Sequence, residues 1–429
     1  MTERLIEIAA PLGRRRFVIG GAGAAVALAP LRRVRAAGNA IRIGYVSPQT
    51  GPLAPFGEAD TYTLSSLKSL LQGGVATPAG KRPVEIILKD SQSNPSRAAD
   101  VANDLIQGGN IDLMLVSSTP ETTNPVSDQC EANEIPCIST MTPWQPWFFT
   151  RGGKLDQGFK YTWHFFWGLE DVIAVYTGMW GQVATDKVVG GLFPNDGDGN
   201  AWGDRKLGFP PVLDKLGYKL VDPGRYQDLT DNFAAQIARF KDMKAEVITG
   251  VMIPPDFTTF WTQARQQGFR PKVASIGKAI LFPSTVETLG GGGQNLSSEV
   301  WWSPHHPFKS SLTGQSAMAL ADAWTAATKK QWTQCIGFAH ALVEVAVDVL
   351  KRAPKLDDHA AVAEVISMTA LDTVVGRVAW GSGPVRNVAK TPLVGGQWRL
   401  GGKWKYDLAL TFNGTAPMIP TTGRMEPIA

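Results

Sequence analysis

The sequence predicts an α/β protein with two lobes, each a mainly parallel sheet flanked by helices, and a cleft between them. Short apolar runs rich in β-branched residues alternate with segments of helical periodicity in two series, one before residue 140 and one after residue 187. Such alternation is typical of βαβ units and a parallel sheet. An aromatic segment, residues 140–169, interrupts the alternation and indicates passage from one lobe to the other.

Local signals define the elements of the first series. The prolines of residues 47–52 end the first strand, because a proline fixes φ and lacks an N–H. Asn94 is the predicted N-cap of the second helix, with Pro95 as its first residue. The predicted order is strand Ile41–Val46, a helix containing Leu64, Leu67 and Leu71, strand Val84–Lys89, helix Pro95–Gln107, strand Asp112–Val116 and strand Ile135–Ser139.

The strands and helices of the second series and of the remaining chain are predicted from the same two patterns, short apolar runs of strand formers and apolar residues at helical spacing. The predicted strands are Lys187–Phe193, Lys219–Val221, Glu246–Thr249, Lys272–Ile276, Glu299–Ser303, Val394–Leu400 and Lys403–Leu410. The predicted helices begin near Trp202 and then cover Asp231–Lys241, Asp256–Gln267, Leu312–Lys330, Ile336–Arg352 and Asp358–Met368. We expect residues 41–157 and 308–371 to form the first lobe, and residues 158–307 and 372–429 to form the second. Repeated crossings between lobes predict a hinge.

Residues 1–36 resemble an export signal rather than part of the fold. Arg14–Phe17 fits the twin-arginine pattern, Val18–Pro30 is a short apolar run, and Val34–Ala36 offers a cleavage site. The apolar run is shorter than the ~20 residues that span a bilayer, and a basic tail is the other alternative. The segment predicts a periplasmic protein with no membrane insertion after cleavage. It holds seven arginines and two glutamates, so the net charge of +4 becomes about −1 without it, which gives no case for nucleic acid as a partner.

The three cysteines, Cys130, Cys137 and Cys335, lack the spacing of a metal site. An oxidising compartment would permit a disulfide between Cys130 and Cys137. Their expected positions, in a helix and in the following strand, need not suit such a bond. Both alternatives stay open.

Three phrases carry a resemblance to a known family: TGPLAPFGEA at 50–59, KDSQSNP at 89–95 and GGQW at 395–398. The chain from Ile41 onwards resembles the leucine/isoleucine/valine-binding proteins, the type I periplasmic solute-binding proteins of ABC importers. The resemblance implies a monomer without cofactor that closes on a small organic solute and delivers it to the permease's transmembrane subunits. The alternatives are a sensor that passes closure to a receptor and an enzyme on the same scaffold. The sequence has no G-x-S-x-G, H-E-x-x-H or dinucleotide fingerprint.

Two loops after first-lobe strands are candidate ligand contacts. Residues Ser117, Ser118 and Thr119 lie between a strand and a helix, where free N–H groups attract a carboxylate; helix capping is the alternative. The resemblance implies that the loop Thr140, Met141 and Thr142 holds the ligand's carboxylate. Thr142 fits best, although Thr140 stays possible because the loop is one residue shorter than usual.

The second lobe contributes further candidates by resemblance. Trp202 stands where the family carries an aromatic ligand contact, with core packing as the alternative, and Ile253 stands at another contact position. Asp196, Asp198 and Asn200 alternate as in a calcium loop, but Ala201 and Leu207 replace the required glycine and glutamate. We therefore expect no metal.

Lys278 stands where amino-acid binders of the family have an acid for the ligand's ammonium. This position predicts that the ligand is not a simple α-amino acid, and that Lys278 pairs with a second acidic or carbonyl group. A branched-chain amino acid-like solute, or a related apolar or aromatic carboxylate, is the expected range. The alternative is that Lys278 faces solvent and Asp256 takes an ammonium.

Overall fold

The structure is a computed structural model that describes residues 40–428. The predicted export signal at residues 1–36 lies outside the described residues. The strands are β1 (Ile41–Ser47), β2 (Val75–Thr77), β3 (Gly80–Arg82), β4 (Val84–Asp90), β5 (Leu113–Ser117), β6 (Cys137–Thr140), β7 (Thr162–Phe165), β8 (Val188–Leu192), β9 (Lys219–Val221), β10 (Val247–Val251), β11 (Val273–Gly277), β12 (Ser297–Val300), β13 (Ala370–Thr373), β14 (Gly376–Ala379), β15 (Val388–Ala389), β16 (Val394–Leu400) and β17 (Tyr406–Phe412). The helices are α1 (Asp60–Gln72), α2 (Pro95–Gln107), α3 (Pro120–Ala132), α4 (Trp144–Phe149), α5 (Leu169–Trp180), α6 (Gly197–Trp202), α7 (Phe209–Lys215), α8 (Ala234–Asp242), α9 (Pro254–Gln266), α10 (Pro283–Thr288), α11 (Ala317–Thr328), α12 (Cys335–Arg352) and α13 (His359–Ser367).

The first lobe is built on a six-stranded sheet with the order β15-β7-β6-β5-β1-β4. Every neighbouring pair in it is parallel. Side chains of a strand alternate between the two faces of a sheet. Ile43 and Leu115 therefore pack with the core that contains α1 and α12, whereas Val46 and Met114 pack with α2 and α3 on the other face. Both faces are covered by helices, as in other parallel sheets.

The second lobe is built on a seven-stranded sheet with the order β17-β16-β12-β11-β10-β8-β9. Strands β8 to β12 pair in parallel, and β16 and β17 add an antiparallel edge from the end of the chain. The prediction of an α/β fold with two mainly parallel sheets is therefore confirmed.

Aromatic side chains fill the region where the chain passes between the sheets. The ring of Phe166, directly after β7, lies 5.4 Å from Trp301 and 5.0 Å from Phe338, and Trp301 lies 5.2 Å from Phe338. Phe338 belongs to α12, so residues from three distant parts of the chain meet here. Ring pairs in these edge-to-face geometries stabilise a contact beyond the area they bury.

Most elements agree with the predicted ones, and α2, β9 and β16 have the predicted bounds. The helix predicted to begin near Trp202 is wrong, because Trp202 ends α6 and a new helix begins at Phe209. The side chain of Asp196 accepts from the Gly199 N–H at 2.6 Å and starts α6 early. A similar cap starts α11 later than expected, because Ser316 accepts from the Ala319 N–H at 3.2 Å.

The strands also place the passages between lobes differently from the expected boundaries. β7 pairs with β6, and β15 pairs with β7, so both strands belong to the first sheet. The expected boundaries at 157/158 and 371/372 assign both strands to the second lobe. We propose boundaries that follow the sheets, after Phe165 and after Ala389.

Cys130, Cys137 and Cys335 are buried and unpaired, so the structure has no disulfide between Cys130 and Cys137. Between residues 40 and 428, none of the helices combines the length and the apolar character needed to cross a membrane.

Candidate functional site

A narrow cavity lies between the two sheets and continues into open solvent. Its walls come from loops at the carboxyl ends of the parallel strands, which is where open α/β sheets bind ligands. Thr119 follows β5, Met141 follows β6 and Lys278 follows β11. The lining residues are Phe56, Thr119, Met141, Pro143, Phe166, Trp167, Asp198, Trp202, Val251, Lys278, Leu281, Glu299 and Trp301.

The three residues at the carboxyl end of β5, Ser117 to Thr119, differ in what their side chains contact. The Ser117 hydroxyl lies 3.1 Å from the hydroxyl of Tyr45, within the first lobe. Ser118 is buried, and no hydrogen-bond partner for its hydroxyl exists in the described part of the chain. Thr119 precedes α3 and lines the cavity, but its side chain makes no capping hydrogen bond. Side-chain capping therefore does not explain Thr119, whereas its role toward a ligand stays a prediction.

The segment at the carboxyl end of β6, residues 140–142, is held firmly by its own hydroxyl groups. Thr140 donates to the Phe165 carbonyl and Thr142 donates to the Ser118 carbonyl, both at 2.7 Å. The backbone of Met141 is left-handed with φ 67°, and its side chain lines the cavity. Of these three residues, Met141 is the one placed against the cavity, and the predicted carboxylate contacts of Thr140 and Thr142 stay predictions.

Trp202 is both a core residue and part of the cavity wall. Its ring stacks on Phe209 at 5.1 Å and meets Tyr176 edge-on at 5.7 Å. The two interpretations of Trp202 are therefore compatible. Ile253 is buried and precedes α9, but it is not among the cavity's lining residues, whereas Val251 of the same strand end is.

Lys278 does not point to solvent, so that alternative is wrong. Its side chain is buried, and its Nζ lies 2.9 Å from Asp196, 3.0 Å from Asp198 and 3.3 Å from Glu121. Burial opposes the charge, but these three carboxylates raise the pKa of Lys278 well above its usual value. The ammonium that we expected to meet a ligand's acidic group is thus already surrounded by protein carboxylates.

Two buried acids line the same part of the cavity, Asp198 and Glu299. Burial raises the pKa of Asp198 to about 8, although the ammonium of Lys278 opposes this shift. Burial likewise raises the pKa of Glu299 to about 7, although hydrogen bonds from Tyr176 and Ser298 oppose it. The expected cation, Lys278, does line this wall, but the wall also carries two acids that the sequence did not predict.

The sequence could have suggested one of these two acids. Asp198 belongs to the alternating Asp/Asn pattern that we considered as a calcium loop. Glu299 had no signal, because one acid inside a predicted strand does not reveal that the strand is buried.

The carboxylates of Glu121, Asp196 and Asp198 lie close enough to one another to share a cation. The ammonium of Lys278 lies among them, so a side chain of the protein is their cation. Asp256, the alternative acceptor for a ligand ammonium, instead accepts from the Leu229 N–H at 2.9 Å. Asp256 is not among the lining residues of the cavity.

Comparisons with known proteins agree with this architecture. The family model described as periplasmic binding protein matches residues 40–403. A leucine-binding protein LivK from Thermotoga maritima superposes with a TM-score of 0.72 at 17% identity, covering 87% of this chain and 99% of its own. LivJ from Streptococcus pneumoniae, a branched-chain amino acid transporter substrate-binding protein in complex with isoleucine, gives 0.67 at 14% identity, covering 86% and 99%.

A solute-binding protein of an ABC transporter from Rhodopseudomonas palustris, in complex with 3,4-dihydroxybenzoic acid, is also similar. It gives a TM-score of 0.68 at 14% identity and covers 88% of this chain and 98% of its own. Comparison with curated proteins gives no significant match. The family model covers most of the chain, so the resemblance expected from the sequence is confirmed: the chain belongs to the periplasmic binding protein family and has its two-lobed type I fold.

Proposed function

We propose that this chain is the solute-binding subunit of an ABC importer, which captures one small organic solute between its lobes. The observation that carries the proposal is the cavity between the carboxyl ends of the two sheets, with walls from both lobes. Closure of such lobes around a ligand is the hinge mechanism for which periplasmic binding proteins are a general example. A ligand favours the closed state only by binding it more tightly than the open state.

The solute has an apolar body. The cavity wall is largely aromatic and aliphatic, with side chains such as Phe166, Trp202 and Leu281. Branched-chain amino acids and aromatic carboxylates are the first candidates, because similar folds have been seen with isoleucine and with 3,4-dihydroxybenzoic acid. Binding without a chemical step is part of the proposal.

Titration calorimetry of the mature chain with these candidates tests the proposal. We expect one solute per chain, recovered unchanged by mass spectrometry. Leu281→Trp should abolish binding because it fills the cavity, whereas the same change at exposed Leu207 should not. Binding that survives Leu281→Trp would place the solute elsewhere. Solute-dependent uptake into vesicles that carry the partner permease distinguishes transport from sensing.

Export by the twin-arginine route is a further part of the proposal, since Arg14–Phe17 carries the motif. Replacing Arg14 and Arg15 by lysine should leave the uncleaved precursor in the cytoplasm, as fractionation and immunoblotting would show. The matched control is the same pair of changes at Arg32 and Arg33, outside the motif. Undiminished export of the Arg14/Arg15 variant would rule out this route.

A further inference from the structure

We propose that two copies of this chain associate through the free edge of β4, which pairs antiparallel with the same strand of the second copy and joins the two first-lobe sheets. The inference goes beyond the proposed function and does not depend on it, because none of the described residues that line the cavity between the lobes belongs to β4. It replaces the monomer that the family resemblance implies.

The four edge strands of the two sheets differ in how open they are to a further strand. β15 has two residues and β9 has three. β17 has seven, but the end of the chain covers it, since the Thr422 N–H donates to the Leu410 carbonyl at 2.8 Å. β4 also has seven residues, and within residues 40–428 its one sheet neighbour is β1. A long uncovered edge is a template for pairing with another chain, and native proteins usually shorten or cover such edges.

The backbone of β4 presents a regular set of free peptide groups along this edge. The Pro83 carbonyl accepts from the Ile41 N–H at 2.8 Å, and the Ser91 N–H donates to the Ser47 carbonyl at 3.0 Å. Peptide groups of successive residues in a strand point to opposite sides, so the odd-numbered residues of β4 face β1. The peptide groups that face away from the sheet are those of the even-numbered residues, Val84, Ile86, Leu88 and Asp90.

One antiparallel register matches both the free peptide groups and the side chains. Centred on Ile87, it places Ile86 opposite Leu88 of the second copy, and both residues have free peptide groups that exchange hydrogen bonds. It also places Glu85 opposite Lys89 of the second copy, an opposite-charge pair that stabilises neighbouring strands. A shift by one residue opposes free groups to used ones, and a shift by two separates the charges. Each contact occurs twice, as two-fold symmetry requires.

The charged side chains on β4 are available for this pairing. The Glu85 side chain is 57% exposed and lies 3.3 Å from Arg42 of its own chain. An exposed ion pair of this kind contributes little to stability, so Glu85 can accept a second cation at little cost. Lys89 forms no ion pair with any residue in the described part of the chain. The second copy therefore supplies the carboxylate that Lys89 lacks.

A groove between α1 and β4 adds an apolar contact beside the strand pairing. Its apolar lining consists of Leu64 and Leu71 from α1, and of Ile86 and Leu88 from β4. Ile86 and Leu88 are only partly buried. Opposite residues of an antiparallel pair lie on the same face, so the same two residues of the second copy extend this apolar row. Removing these side chains from water favours association.

The first test measures the oligomeric state of the solute-free mature chain. Sedimentation velocity over a hundredfold range of protein concentration should show a monomer that converts to a dimer. Glu85→Lys places like charges opposite each other and should weaken the dimer tenfold or more, whereas Glu364→Lys, at an exposed position of α13, should leave it unchanged. Combining Glu85→Lys with Lys89→Glu exchanges the two charges and should restore the dimer.

Cysteine cross-linking tests the register itself. The native cysteines are buried, and opposite Cα atoms of a non-hydrogen-bonded antiparallel pair lie about 4.5 Å apart, which a disulfide can span. Under mild oxidation, Ile87→Cys should form a disulfide-linked dimer with itself. Glu85→Cys and Lys89→Cys should each stay uncrosslinked alone and should cross-link when mixed.

Two results would overturn the inference. One is a wild-type chain that stays monomeric at every concentration. The other is cross-linking of Glu85→Cys with itself as readily as of Ile87→Cys, which excludes the register. Calorimetric binding of a solute by the wild-type chain tests the proposed function separately, so the two failures are distinguishable.

Discussion

At the scale of single residues, the burial of Asp60 makes the stability of the folded protein depend on pH. It lies fully buried at the start of α1, where Tyr45 donates to its Oδ1 at 2.9 Å and Gln49 donates to its Oδ2 at 3.3 Å. Burial raises its pKa to about 7, although these hydrogen bonds oppose the shift. The folded protein therefore holds a proton that the unfolded chain releases near pH 4. This contribution to stability is present below about pH 4 and is lost as the pH rises to about 7.

We therefore predict that Asp60→Asn makes the free energy of unfolding less dependent on pH. Wild type should lose up to about 1.4 kcal/mol per pH unit relative to the variant between about pH 4 and 7. Urea denaturation of both proteins at several pH values measures this difference. The contribution of the buried histidines is the same in both proteins and therefore cancels. The control, Asp322→Asn at an exposed position of α11, should keep the wild-type slope. Parallel curves for Asp60→Asn and wild type would contradict the prediction.

Individual site residues were predictable only where the relevant contacts are local. Thr119 and Met141 could be assigned to the cavity because each follows a recognisable strand. The role of Lys278 could not be predicted, because its partners Asp196 and Glu121 lie 82 and 157 residues away in sequence. Glu299 was missed for the same reason, since its burial depends on the packing of the whole lobe.

At the scale of elements, α2 shows how much a local signal can define. The side chain of Asn94 accepts from the Arg97 N–H at 2.9 Å, and Pro95 is the first helical residue. The predicted start and end of this helix are both confirmed. The start of α6 was missed, because the same capping chemistry at Asp196 lay in a segment that was considered as a metal loop.

We predict that Asn94→Ala lowers the free energy of unfolding by about 1 kcal/mol, because the Arg97 N–H loses its partner. The matched control is Asn103→Ala, the same change at an exposed position inside α2. It should raise stability by a few tenths of a kcal/mol, since alanine favours a helix interior. Urea denaturation monitored by circular dichroism measures both variants. Equal losses at the two positions would exclude the cap as the cause.

At the scale of the whole molecule, the two-sheet architecture was predictable and the passages between lobes were not. The alternation of strands and helices is a local pattern and predicts both sheets. The place of β15 at the edge of the first sheet depends on pairing Val388 with His164, far apart in sequence. No local pattern reports such a pairing, and both expected boundaries consequently fell on the wrong side of a strand.

The same architecture places an ion pair across the cleft. Glu121, in the first turn of α3, belongs to the first lobe, whereas Lys278 follows β11 of the second, with 3.3 Å between Oε2 and Nζ. Burial opposes ionisation of Glu121, but the ammonium of Lys278 lowers its pKa, so the carboxylate is charged at neutral pH. The other two carboxylates around Lys278 belong to the second lobe. Glu121 is thus the member of this cluster whose attraction acts between lobes.

We predict that Glu121→Gln favours separation of the lobes and weakens solute binding. Because the Glu121 side chain is 21% exposed, its attraction is partly screened, and we expect a loss of about 1 kcal/mol, which is roughly fivefold in affinity. Small-angle scattering should show a larger radius of gyration for the solute-free variant than for solute-free wild type. Saturating solute should reduce the radius of both. The control, Asp128→Asn, breaks an ion pair to Arg151 that lies within the first lobe and should change neither quantity. Unchanged affinity and scattering in Glu121→Gln would show that this ion pair does not hold the lobes together.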